Sequence, residues 1–112
     1  NNQVHGGMIQ GLGFALTEDR ILDRQTGKMA NCSFLDYKIP TAMEATWQHD
    51  VIAVEKEDTS NNTGAKGLGE PAKIPACAAI ANAVYNAIGV RVPAATLTPD
   101  KVLEALKKGG AK

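Results

Sequence analysis

One carboxylate stands out for the company it keeps. Glu70 follows three glycines within six residues, Gly64, Gly67 and Gly69, in the stretch NTGAKGLGEPAKIPACAAIANAVYNAIG. Pro71 and an alanine-rich run follow it. Glycine reaches backbone angles that other residues avoid and lets a ligand come near. A glutamate held this way can accept a proton, bind a metal or substrate, or cap a helix start. A helix N-terminus favours its ionised form, which suits a base. A phosphate-binding loop does not fit, because GAKGLGEP lacks the GK[ST] ending and places a carboxylate where phosphate would lie. The residues alone leave the capping and catalytic readings both open.

A second pattern opens the chain, NNQVHGGMIQGLGFAL. Residues 3–16 read as a helix with Val4, Met8, Leu12, Ala15 and Leu16 on one side. Gly6, Gln10 and Gly13 lie opposite, with Gly7 nearby. Glycines at 6, 7, 11 and 13 each cost about 1 kcal/mol relative to alanine. A helix keeps such defects when something approaches its backbone closely. That is either tight packing against other chain segments, or a ligand lying on the glycine face and hydrogen-bonded by Gln10.

The remaining chain must position these two stretches. Residues 18–30 read as a β-hairpin, RILD, RQTG, KMAN, and Pro40 stops the segment that follows. TAMEAT is either a helical turn or an extended connection. DVIAVEKED alternates as a strand, and apolar residues on both faces suggest a central one. Residues 58–69 are a loop. Pro71 and Pro75 place the start of the next regular helix near Pro75, and Gly89 ends it. VRVPAATL reads as extended. The last helix has Thr98 as N-cap and Pro99 at N1, buries Val102, Leu103 and Leu106, and stops at Gly109. The fold expected is α+β, a small mixed sheet with three helices.

Bulk properties narrow the function. The 112 residues allow one domain, with a radius of gyration of roughly 13 Å if it is compact. Twelve Lys and Arg balance 12 Asp and Glu, so there is no basic excess for nucleic acid or an anionic membrane. Lys107, Lys108 and Lys112 read as a solvated tail. Cys32 and Cys77 form no CxxC or Cys/His pair, and read as two free buried thiols in a reducing cytoplasm. No apolar run approaches the roughly 20 residues of a membrane span, and the start is unlike a signal peptide. The chain opens inside a patterned segment and not with Met, as a piece of something longer would. Its five aromatics, Phe14, Phe34, Tyr37, Trp47 and Tyr85, and its many glycines and alanines suit packing against other segments. His5 reads as packed and His49 as surface. Asp36 and Tyr37 could reach a substrate channel. Lys66 and Lys73 are either solvated or partners of an anion.

QVHGGMIQGLGFAL, followed about 55 residues later by GAKGLGEP and an alanine-rich helix, resembles the C-terminal part of the molybdenum hydroxylases. These are the large subunits of the xanthine dehydrogenase, aldehyde oxidoreductase and carbon monoxide dehydrogenase family. LDYKIPTAMEA resembles the family's Y.(I/L)PT stretch. The resemblance implies that Glu70 is the general base, deprotonating the water-derived oxygen that attacks a substrate carbon. It implies that the metal is held by a molybdenum–pterin cofactor and by no side chain of this chain. Gln10 would contact the pterin, Gly6, Gly7 and Gly13 would let it lie near the helix, and Gly67, Leu68 and Gly69 would shape the loop beside the metal. Implied partners are the remaining large-subunit domains, an iron–sulfur subunit, sometimes a flavin subunit, and a small-molecule substrate. No iron–sulfur or flavin motif is present, and a 112-residue piece would be inactive alone. The rival readings are a non-catalytic assembly module, with the glycine face as a protein contact, and a small-ligand domain built on the 64–69 loop.

Overall fold

The computed structural model describes residues 1–45 and 49–109. Trp47 and Lys112 lie outside them. Three α-helices carry the architecture: α1 (Asn2–Leu16), α2 (Ala76–Ile88) and α3 (Pro99–Gly109). A short 3₁₀ turn, Pro71–Lys73, leads into α2. These bounds agree closely with the sequence expectation, because Pro99, Pro75 and Gly89 are hard punctuation. Gly89 closes α2 in the left-handed conformation, φ 72°, and its N–H bonds to Tyr85 O at 2.7 Å.

The α+β expectation is not met. Among the described residues there is no strand and no sheet. The hairpin shrinks to one antiparallel bridge, Leu22 to Met29, around a turn in which Asp23 Oδ1 accepts from the backbone of Gln25 at 2.8 Å and Thr26 at 3.2 Å. Those bonds hold the Asp23 carboxyl below its usual range. Residues 50–57 carry no regular structure. Ile52 and Val54 stand 86% and 88% exposed. Alternation marks a segment able to pair, but a ladder needs a second strand, and the described residues supply none. Residues 41–45 of TAMEAT form a single turn, in which Thr41 N–H donates to Glu44 Oε2 at 2.8 Å, and Thr46 lies outside the described residues.

The core is small. Among the described residues its buried apolar side chains are Ala15, Leu97 and Ala105, and no large side chain is fully buried. Residues 96 and 97 cross the end of α1, where Leu97 N–H bonds to Ala15 O at 2.7 Å. The third helix meets the expected face of Val102, Leu103 and Leu106 only in part: Val102 is half-buried, while Leu103 and Leu106 are exposed. It docks through positions one turn apart, Lys101, Ala105 and Gly109. Lys101 Nζ meets Asp19 at 3.0 Å, and a Cβ on Gly109 would lie 2.6 Å from Val90.

The shape is open. The radius of gyration is 17.6 Å, against roughly 13 Å for a compact chain of this length. Accessible surface totals 8905 Å², where a compact protein of this mass exposes roughly 5,900 Å². Phe34, Leu35 and Met43 are among the large apolar side chains left in the open. No helix among the described residues is long and apolar enough to cross a membrane. Cys32 is exposed, not buried; Cys77 is half-buried, with its Sγ 3.6 Å from Gly11 O.

Candidate functional site

The glycines of α1 divide into two sets. Gly7 and Gly11 face protein. A Cβ on Gly7 would lie 2.6 Å from Ala72 Cβ and 3.1 Å from Lys73 N. One on Gly11 would lie 2.2 Å from Ala76 Cβ. The two glycines therefore let α1 meet the 71–76 turn backbone to backbone, which places the turn that follows Glu70. Gly13 also faces protein, since Glu18 and Pro40 occupy the space beside it. Glu18 in turn accepts a hydrogen bond from the Tyr37 hydroxyl at 2.9 Å, which raises the Tyr37 pKa. Tyr37 is thereby held at the end of α1, and Asp36 accepts from the Ser33 hydroxyl at 3.0 Å.

Gly6 is different, since a Cβ there would meet nothing within 4 Å. It sits in an exposed stripe with Gln3 and Gln10, spaced three and four residues apart. The 67–70 loop reaches the same end of the helix. A Cβ on Gly69 would lie 3.6 Å from Gln3 Oε1, while Gly67 has open space beside it. Leu68 is 51% exposed. Gly67 and Gly69 are not used for unusual backbone angles; that role falls to Gly64, φ 67°, where Asn61 staples the loop by accepting from Thr63 and Ala65 N–H, each at 3.1 Å.

Glu70 stands at the N-cap position of the 3₁₀ turn, yet its side chain makes no cap hydrogen bond. Its side chain is 86% exposed and forms an ion pair with Lys73, 3.8 Å away. An ion pair this open is worth at most about 1 kcal/mol. The carboxylate is therefore weakly paired but anchored in backbone, since the residues after it are clamped on Gly7 and Gly11. Lys66 is exposed.

Two residues at α1 differ from the sequence reading, Gln3 beside the site and His49 on the opposite side of the helix. Gln3 precedes Gly6 and Gln10 on one helical stripe, so helical spacing alone could have found it. His49 is half-buried and not on the surface, with its ring 5.4 Å from that of His5. No sequence signal brings those two together. Among the described residues no cluster of His, Cys, Asp and Glu could hold a metal ion.

Comparison with known proteins gives this arrangement a context. Residues 1–46 match the model of the molybdopterin cofactor-binding domain. The chain is 43% identical over 108 residues to the xanthine dehydrogenase molybdenum-binding subunit of Escherichia coli O157:H7, covering 96% of this chain and 14% of that subunit. It is 37% identical over 105 residues to the aldehyde oxidoreductase molybdenum-binding subunit PaoC of Escherichia coli K12, covering 94% and 14%. Among solved structures, quinoline 2-oxidoreductase from Pseudomonas putida 86 superposes with a TM-score of 0.85 at 28% identity, over 96% of this chain and 14% of that one.

The chain thus belongs to the molybdenum-binding subunits of the xanthine dehydrogenase and aldehyde oxidoreductase family. That family is one of oxidoreductases, and its cofactor is the molybdenum–pterin class expected from the sequence. The chain spans 14% of the length of each of these three proteins.

Proposed function

We infer that this chain is one segment of a molybdenum hydroxylase large subunit, in which it contributes the general base Glu70 and one wall of the pterin site. The observation that carries this reading is the state of Glu70. A capping carboxylate would bond to the turn behind it, and this one does not. It projects from a turn locked onto α1, at the end where the glycine stripe is bare.

The open stripe fits a flat guest. Gly6 presents backbone with nothing within 4 Å of where its Cβ would be, and the Gln3 and Gln10 amides flank it with donors and acceptors. Gln10 and Gly6 would hold the cofactor's pterin, with Gly67, Leu68 and Gly69 bordering the metal. Gly7 and Gly13 would serve from behind, by keeping α1 close to Ala72 and Pro40. When bound, the group supplies a two-electron acceptor for oxidising a substrate carbon with oxygen taken from water.

The chain's own task is proton transfer. Ionised Glu70 accepts a proton at a carboxylate oxygen and returns it to solvent, through which it is reached freely in this segment. The rest of the large subunit, with iron–sulfur and in some cases flavin partners, would close the site and carry electrons away. The segment alone would be inactive. The test is Glu70→Gln in the complete enzyme. Molybdenum and pterin content stay at wild-type levels, and turnover falls by at least the roughly 10²–10⁴ typical of a lost general base. Wild-type turnover would remove Glu70 from this role. Assembly without any molybdenum in the unaltered enzyme would favour a non-catalytic module.

A further inference from the structure

The seam where Gly7 and Gly11 meet Ala72 and Ala76 has two sides. One side is the polar stripe of Gln3, Gly6 and Gln10. The other opens into a groove of about 530 Å³, walled by Val4, Met8 and Leu12 of α1 and by Pro75, Ala79 and Ile80. Its polar lining consists of Glu44 and His49. Glu44 is already engaged by Thr41 N–H at 2.8 Å and by Lys38 Nζ at 3.0 Å.

We propose that this groove seats an apolar segment of the remaining large-subunit chain, so that α1 divides its two sides between protein and cofactor. The inference rests on the segment reading given above. Three observations select this occupant. First, the chain exposes roughly 3,000 Å² more than a compact protein of its mass. A second copy docking through a standard interface covers only about 800 Å² per partner. Second, the same fold is found in quinoline 2-oxidoreductase within a chain of which it is 14%, so most of that chain lies outside the matched part. Third, the groove walls hold bulky aliphatic side chains, while the buried apolar residues among those described are Ala15, Leu97 and Ala105. The groove is the core that this segment begins and another segment completes. A small apolar ligand is disfavoured, because such sites hold convergent polar groups to orient the guest, and Glu44 is spoken for.

The experiment uses the complete large subunit with Ala79→Cys, and independently Met8→Cys. Maleimide labelling of that thiol is read by peptide mass spectrometry, native and urea-unfolded. A second sample carries a photo-crosslinking residue at Ile80. The proposal expects labelling at least a hundredfold slower in the native subunit, and crosslinks to large-subunit sequence beyond residues 1–112. Native labelling at the unfolded rate overturns it. So do crosslinks to residues 1–112 of a second copy, crosslinks confined to another subunit, an absence of crosslinks, or protection that vanishes when a small molecule is extracted. Molybdenum is measured on the same samples. Molybdenum present with labile thiols defeats this proposal alone, and protected thiols without molybdenum defeat the cofactor reading alone.

Discussion

Adding one methyl group to α1 separates its glycines by sign. At Gly11 an alanine Cβ would sit 2.2 Å from Ala76 Cβ and 3.3 Å from Lys73 O. Carbon–carbon contacts settle at about 3.5–4.0 Å, so α1 and α2 must part by roughly 1.5 Å. Overpacking of this kind costs about 1–3 kcal/mol, and the backbone oxygen behind the clash puts Gly11→Ala near the top of that range. The helix regains about 1 kcal/mol in propensity, leaving a net loss of about 2 kcal/mol. At Gly7 the nearest atom is farther, 2.6 Å, and the net loss is about 1 kcal/mol. At Gly6 nothing lies within 4 Å, so only the propensity gain of about 0.5–1 kcal/mol remains. Gly6→Ala and Gly11→Ala thus differ by about 3 kcal/mol, roughly a hundredfold in an opening equilibrium. Peptide-resolved hydrogen exchange over residues 2–16 of the assembled subunit, prepared without its molybdenum–pterin group so that nothing covers Gly6, reads this directly. Adding Ala76→Gly to Gly11→Ala recovers most of the loss, because the clashing partner is gone. The reasoning fails if the three single variants shift exchange in the same direction by similar amounts, or if Ala76→Gly brings no relief.

The other predictions concern smaller devices. Glu44 is held down to about 2 from 4.5, chiefly by the Thr41 hydroxyl, then by Lys38 and the Thr41 N–H. Its pKa is lower folded than unfolded, so its stabilising effect is full above about pH 4.5 and fades as pH falls towards about 2. Faster exchange of the Thr41 amide across that window, abolished by Glu44→Gln, is the expected result; a pH-independent amide contradicts it. At Gly89, φ 72° with open space around it, alanine costs about 1 kcal/mol from backbone strain alone and asparagine distinctly less. Exchange at the end of α2 ranks the two, and equal effects would mean that the strain is not the cause. Gly7→Ala pushes on Ala72, two residues from Glu70, and a displacement near 1 Å can lower turnover by up to about 10²-fold. Molybdenum content stays unchanged in that variant; loss of the metal instead would show that Gly7 supports the cofactor and not the base.

How much of this was readable in the residues depends on what each element needs. The helices were legible because their signals are local: Pro99 starts α3, Gly89 ends α2, and the period of Val4, Met8 and Leu12 defines α1. The sheet was misread because a strand needs a partner. Val51–Val54 has the pattern, and no described segment pairs with it. The face of α3 was misread for a related reason. Leu103 and Leu106 are the obvious apolar residues, but docking follows the small buried Ala105 and Gly109, the latter admitting Val90 closely. The glycine pattern of α1 announced close approach without saying to what; only coordinates separate Gly7 and Gly11, against the 71–76 turn, from Gly6, against open space. Glu70 was singled out by its neighbours in sequence, and the missing cap bond is what three dimensions added.

The most direct test is a crystal structure of the complete large subunit with its molybdenum–pterin group bound. The account expects the Glu70 carboxylate and the Gly6–Gln10 stripe to border the same bound group, with Gln10 in hydrogen-bonding contact with it. A guest bound elsewhere, with the stripe buried under protein and Glu70 turned to bulk solvent, would contradict it.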